Sequence, residues 1–148
     1  MGVKPAGGSV RIERHLAAPA TYVSRYIGDF RNAREWMVGV EAVERLDGEH
    51  YRLHLETPVG RMEPEVRVTE RSEGRIRWVY TSVVEGGGEV VVRPDGERGC
   101  VVCYSGHFRL RRNLLDRAAR LVGAERFARR NGERSLERLK ALMEARGR

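Results

Sequence analysis

Apolar and small residues recur at Ala124, Ala128, Gly132, Ser135/Leu136, Leu139 and Leu142/Met143, the i, i+3/i+4 spacing of one helix face. The run AERFARRNGERSLERLKALMEA is the one long segment with sustained helical periodicity, and its apolar face is predicted to be buried. Arg126, Arg130, Arg134 and Arg138 form an i+4 row on the other side, interleaved with Glu125, Glu133 and Glu137, and that row is predicted to face water.

Nearly everything before this helix alternates with period two. From Ser9 to Ala17, Val10, Ile12, Arg14 and Leu16 share one face against Arg11, Glu13 and His15. Pro19 then suits the start of a short helix carrying Tyr22, Val23, Tyr26 and Ile27, and Asp29 suits the cap of a second reaching Trp36. Strand two is predicted from Val38 to Leu46, with a hairpin turn at Asp47-Gly48. Tyr51, Leu53, Leu55 and Thr57 alternate with His50, Arg52, His54 and Glu56 in the next strand. A fourth carries Met62, Pro64, Val66, Val68 and Glu70 opposite charges of both signs, which mark a solvated face. Pro64 reads as an edge or bulge, because it cannot donate to the ladder. Strand five holds Ile76, Trp78, Tyr80 and Ser82. Gly86 to Gly88 reads as a turn, followed by a short strand from Val90 to Arg93, a hairpin at Pro94-Asp95-Gly96 and a last strand from Cys100 to Leu110. On that strand Val102, Tyr104, Phe108 and Leu110 share a parity that a bulge at Gly106 would reverse. RRNLLDRAARLV reads as a further helical stretch, interrupted at Gly123.

The predicted fold class is therefore α+β: a curved antiparallel sheet of about seven strands, two short helices after strand one, and a long C-terminal helix over the concave face. A chain of 148 residues fits a single domain over 1–148, with residues 1–8 as a loose tail. No apolar run approaches the ~18 residues of a membrane span, and the N-terminus lacks an apolar signal region, so a cytoplasmic location is expected. Cys100 and Cys103 suit a reducing compartment. A net charge of +7 favours anionic partners, yet the arginines are spread along the chain among glutamates. Nucleic acid or an anionic membrane surface is thus a partner the charge allows but does not favour.

Three pieces carry a family resemblance: HLAAPATYVSRYIGDFRNAREWM, the connected hairpins, and the ending SLERLKALMEA. With these the chain resembles the helix-grip START/SRPBCC superfamily, which includes birch-pollen-type allergens, polyketide cyclases and coenzyme-Q-binding proteins. The polyketide cyclase/dehydrase-like group is the nearest in character, and a relative similar to a carbon monoxide dehydrogenase component of this fold also fits. The resemblance implies a hydrophobic cavity between sheet and helix that holds a lipid, isoprenoid or polyketide-like molecule. None of the three pieces is catalytic, so they speak to the fold rather than to a reaction.

The residues expected to line that cavity are Trp36, Tyr51, Leu53, Leu55, Met62, Val66, Val68, Trp78, Tyr80, Tyr104 and Phe108, with Ala128, Asn131, Ser135 and Leu139 on the helix. Ordinary core is the competing reading of the same pattern. Arg14, Thr57, Glu70 and Ser82 also sit at inward parity as polar groups able to orient a ligand, although Arg14 and Glu70, near strand ends, are placed either to reach water or to pair with each other. In a catalytic version, Tyr51, Tyr80 or Tyr104 donates a proton to a bound carbonyl that an arginine polarises. No metal or cofactor is expected. Cys100 and Cys103 point to opposite faces of a strand, and His50 and His54 lie about 13 Å apart at ~3.3 Å per residue. His15 and His107 show no carboxylate partner in the sequence and read as surface residues. The glycines at 86–88 lack the Lys-Ser/Thr and helix of a phosphate loop. Binding of a small hydrophobic molecule by a carrier, sensor or accessory protein is the leading expectation. The alternatives are a cyclase or dehydratase, and a docking module using Arg111, Arg112, Arg117, Arg120, Arg126, Arg129 and Arg130.

Overall fold

The structure is a computed structural model that describes residues 7–57, 60–110 and 124–146. Its elements are β1 (Gly7–Leu16), α1 (Ala20–Gly28), a 3-10 turn (Phe30–Asn32), α2 (Ala33–Trp36), β2 (Val40–Asp47), β3 (His50–Thr57), β4 (Gly60–Met62), β5 (Glu65–Ser72), β6 (Arg75–Tyr80), β7 (Val84–Pro94), β8 (Cys100–Leu110) and a C-terminal helix, here α3 (Ala124–Arg146). The eight strands form one antiparallel sheet in the order β1-β8-β7-β6-β5-β3-β2, with β4 paired to β3. The chain meanders to β8 and closes by laying β8 against β1. The predicted helical stretch at 111–122, with Arg111, Arg112, Arg117 and Arg120 of the expected docking set, lies outside the described residues.

Why these residues form these elements follows from their two faces. On β1 the inward Val10, Ile12 and Leu16 are at most 7% exposed, while Arg11, Glu13 and His15 lie outside. The α3 stripe Ser135, Leu136, Leu139 and Met143 is buried, and Arg126, Arg130, Arg134 and Arg138 are exposed, as the periodicity requires. Asp29 caps the 3-10 turn by accepting the Arg31 N–H at 3.1 Å. The α1 and α2 insertion closes one end of the sheet, where Phe30 packs against Tyr51 and Trp78 with ring centroids 5.2 and 5.4 Å away.

Three local readings change. The predicted fourth strand is two: β4 and β5 part at Glu63-Pro64, where Pro64 is buried and its carbonyl accepts the Leu53 N–H at 2.9 Å. Gly86 to Gly88 is not a turn. β7 runs unbroken through it, with Gly87 opposite Val79 and Gly88 opposite Trp78 on β6, and Gly88 opposite Gly106 on β8. The glycines serve close approach, since a Cβ on Gly88 would stand 2.3 Å from the Trp78 indole and one on Gly87 would meet the Trp78 carbonyl oxygen. Gly106 carries no bulge, because both ladders of β8 pass it in continuous register. Val102, Tyr104 and Phe108 therefore keep a common inward parity.

Candidate functional site: a cavity under the C-terminal helix

Between the concave sheet and the N-terminal half of α3 lies a cavity of about 230 Å³. The sheet supplies Leu53 and Leu55 from β3, Met62 from β4, Trp78 and Tyr80 from β6, and Tyr104 and Phe108 from β8. Trp36 closes the end under the short helices, and α3 contributes Ala128, Asn131 and Ser135. Eleven of the fifteen expected residues thus meet around one space.

The other four belong to the packed core. Tyr51 is 4% exposed and packs on Phe30, with its hydroxyl near Arg71 beside the end of α1. Val66 and Val68 are buried in one core cluster with Phe30 and Trp78, and Leu139 sits a turn beyond Ser135, fully buried. All four take the inward face their spacing requires, but the groove is filled where they stand. Pattern reasoning missed Met37, Val38, Val40, Pro64, Val84 and Phe127, which also line the space. Most of these lie in loops or at strand ends, where neither a period of two nor one of 3.6 applies. Phe127, 37% exposed, lines the cavity and reaches solvent.

The floor is aromatic and held flat by glycines. The Trp78 indole lies over Gly88, while the Tyr104 ring lies between Gly106 and Gly132: a Cβ at Gly106 would be 2.8 Å from its hydroxyl oxygen, and one at Gly132 would be 3.5 Å from its ring carbons. The two rings stack at 6.5 Å and 29°. Gly132 thus lets α3 approach without filling the space above Tyr104.

Polar groups at the wall are few and mostly occupied. Ser135 Oγ accepts the Val38 N–H at 2.9 Å and donates to the Asn131 carbonyl at 2.7 Å, and Asn131 Nδ2 donates to the Val38 carbonyl at 3.4 Å. The pair expected to orient a ligand instead ties the loop between α2 and β2 to α3. Thr57 donates to the Gly60 carbonyl at 2.7 Å, and Ser82 Oγ accepts the Glu65 N–H at 2.9 Å. Arg14 pairs with Glu137 at 2.9 Å and Glu70 with Arg77 at 3.8 Å, so the two do not pair with each other. Tyr80 and Tyr104 remain. Burial raises both phenols' pKa, offset in part at Tyr80 by the Trp78 side chain and reinforced at Tyr104 by Tyr80. Both stay protonated, as hydrogen-bond donors. No described arginine lines the cavity, so the arginine of the catalytic version has no counterpart there.

At the rim, Val83 adopts φ 70° in a tight turn in which the Val84 N–H reaches the Ser82 carbonyl at 2.8 Å. A β-branched residue in that region is strained. The histidines take outer positions. His15 lies 3.2 Å from Asp95, a partner the sequence did not reveal, His50 lies 3.4 Å from Glu65, and His54 lies 3.3 Å from Glu63. Among the described residues no group of three or more His, Cys, Asp or Glu side chains is placed to hold a metal ion, and no helix is long and apolar enough to cross a membrane. Cys100 faces inward with its thiol raised to about 11 by burial.

Residues 8–144 match the model of the family described as polyketide cyclase/dehydrase and lipid transport. The chain belongs to that family. Solved structures of the same fold include the ZhuI aromatase/cyclase of a Streptomyces species (19% identity, 96% of both chains, TM-score 0.79). A protein of Deinococcus radiodurans (24% identity, 93% of this chain and 97% of the other, TM-score 0.72) is similar as well. So is a START superfamily protein of Mycobacterium smegmatis (16% identity, 94% and 96%, TM-score 0.67). At these identities the likeness shows the helix-grip fold. No curated protein matches the chain. Membership of the polyketide cyclase/dehydrase and lipid transport family supports a hydrophobic ligand-binding or cyclase role.

Proposed function

We propose that this family member holds a small hydrophobic molecule in the cavity beneath α3, as a carrier, sensor or accessory protein. The observation that carries the reading is the wall itself: aromatic and aliphatic side chains from six strands surround a hollow of about 230 Å³, while the residues beside it are packed to completion. An apolar cavity of roughly 150 Å³ admits benzene, so this one has room for a guest of about two fused rings or a short branched chain. Burying roughly 200 Å² of such a guest at ~25 cal/mol/Å² yields about 5 kcal/mol, equivalent to a Kd of about 0.2 mM, and the costs of association weaken it from there. Phe127, lining the cavity and reaching solvent, gives the guest an apolar surface to cross on the way in.

Native mass spectrometry of freshly purified protein, followed by solvent extraction, tests this directly. A stoichiometric apolar adduct, or saturable 1:1 binding of a hydrophobic fluorophore to the apo form, is the expected result. A clean apo mass together with non-saturable fluorophore uptake would overturn it.

A cyclase-type activity is the second reading, favoured by the likeness to an aromatase/cyclase and by two tyrosine hydroxyls at the cavity wall. General acid catalysis is most efficient with a pKa near the working pH, and burial moves both phenols the other way. Tyr80 and Tyr104 are therefore better suited to hold a carbonyl oxygen than to protonate it. Phenylalanine substitutions separate the two roles: a carrier loses affinity, whereas a cyclase loses turnover with affinity largely kept. Docking of the exposed arginines of α3 on an anionic partner would instead weaken steeply with added salt, to which cavity binding is nearly insensitive.

A further inference from the structure

None of the described residues lining the cavity is charged. The ionic groups nearest in sequence point elsewhere: Arg77 pairs with Glu89 and Glu70 on the outer face, Arg52 with Glu44, and Arg61 with Glu56. Thr57, Asn131 and Ser135, the polar side chains of the wall besides the tyrosines, are engaged with backbone. Among the described residues, the hydrogen-bonding capacity left for a guest is concentrated in the Tyr80 and Tyr104 hydroxyls, which share one wall. The Tyr104 ring and hydroxyl occupy the room that the absent side chains of Gly106 and Gly132 leave.

Taking the ligand-binding reading as given, we propose that the cavity selects uncharged molecules carrying a carbonyl or hydroxyl oxygen, which accepts from Tyr80 and Tyr104, and excludes the carboxylate of the same skeleton. A carboxylate entering this space would lose its water without meeting a cation among the described residues, and such a group binds by taking up a proton or does not bind. A ketone, aldehyde, ester or alcohol has no such cost and gains from donors that are already dry. The two phenols remain neutral donors across the working pH range because burial holds their protons on. The selected class is therefore a neutral oxygenated hydrophobe rather than a free acid or an anionic amphiphile.

Three bicyclic probes of one size test this on the intact protein by displacement of a bound fluorophore: naphthalene, 2-acetylnaphthalene and 2-naphthoate. The ketone is expected to bind with constant affinity from pH 5 to pH 8. Naphthoate is expected to weaken about tenfold per pH unit over the same range, because only its protonated form enters, and to lie at least 100-fold below the ketone at pH 7. Tyr104→Phe and, separately, Tyr80→Phe should each cut the ratio of ketone to naphthalene affinity several-fold. Equal binding of naphthoate and ketone at pH 7, or a ketone-to-naphthalene ratio that neither substitution moves, overturns the proposal while the ligand-binding reading stands. If none of the three displaces the fluorophore, naphthalene included, the ligand-binding reading falls and the proposal falls with it.

Discussion

Gly88→Ala tests whether the aromatic floor is set by glycine. One methyl group is added in the middle of β7, at a position where backbone φ is not positive, so the strand itself tolerates alanine. The new Cβ would stand 2.3 Å from Cζ2, 2.7 Å from Cε2 and 3.0 Å from Cη2 of Trp78. Carbon atoms rest at about 3.5–4.0 Å, so the indole or the strand must move by more than ~1 Å. The indole has nowhere to go without cost: it is 3% exposed, with Phe30 at 5.4 Å on one side and Tyr104 at 6.5 Å on the other. Overpacking of this kind costs about 1–3 kcal/mol. At about 4 °C per kcal/mol for a domain near 150 residues, the melting temperature should fall by roughly 4–12 °C.

The assay is thermal unfolding followed by circular dichroism, with fluorophore titration on the same samples. Affinity should fall as well, because the displaced indole moves into the cavity it now floors. Gly28→Ala is the matched control, since a Cβ at the end of α1 meets nothing within 4 Å, and it should be neutral or slightly stabilising. If Gly88→Ala melts within about 1 °C of the native protein and binds the fluorophore equally well, close approach is not why β7 carries glycine there, and the account of the floor is wrong.

Leu139→Ala should cost about 2–5 kcal/mol in chemical denaturation, as a fully buried core leucine, yet leave fluorophore affinity within about twofold; a large affinity loss at small stability cost would return Leu139 to the site. Val83→Gly should stabilise by about 1 kcal/mol, because relief of about 1–3 kcal/mol of backbone strain exceeds the ~0.5–1 kcal/mol entropic cost of glycine, and a destabilised variant would show that φ 70° is not strained here. The Glu35 carboxylate is held below its ordinary pKa first by the Tyr26 hydroxyl at 2.7 Å and then by Arg146, and Glu144 by Lys140 at 2.7 Å and the Ala17 N–H at 2.8 Å. A depressed carboxylate stabilises the fold fully above its unfolded value of about 4.3 and loses that contribution as pH falls through its lower native value. Glu35→Gln and Glu144→Gln should therefore lower stability at pH 7 and flatten its acid decline below about pH 4, and an unchanged acid limb in denaturant titrations would count against both contacts.

How much of this was legible in the sequence depends on whether the cause was local. Strand parity was, because alternating charge and apolarity is written on the strand that obeys it: Tyr51, Leu53 and Leu55 face inward as their spacing requires. The α3 stripe was legible for the same reason. The continuity of β7 was not, since Gly86-Gly87-Gly88 has no side chains to make a pattern, and what keeps it a strand is Trp78 on its neighbour. The same distinction explains the site. Parity says which face a residue takes, not whether the space in front of it is filled. Tyr51, Val66 and Val68 share a face with Leu55 and Tyr80, but Phe30, from an insertion some twenty to forty residues earlier, fills the groove before them. On the other side of Trp78 the facing helix offers Ala128 and Gly132, and no described side chain fills the gap. The boundary between core and cavity is thus a difference in volume between side chains that meet only in the fold. It falls at Trp78, whose indole packs on Phe30 to one side and borders the cavity on the other.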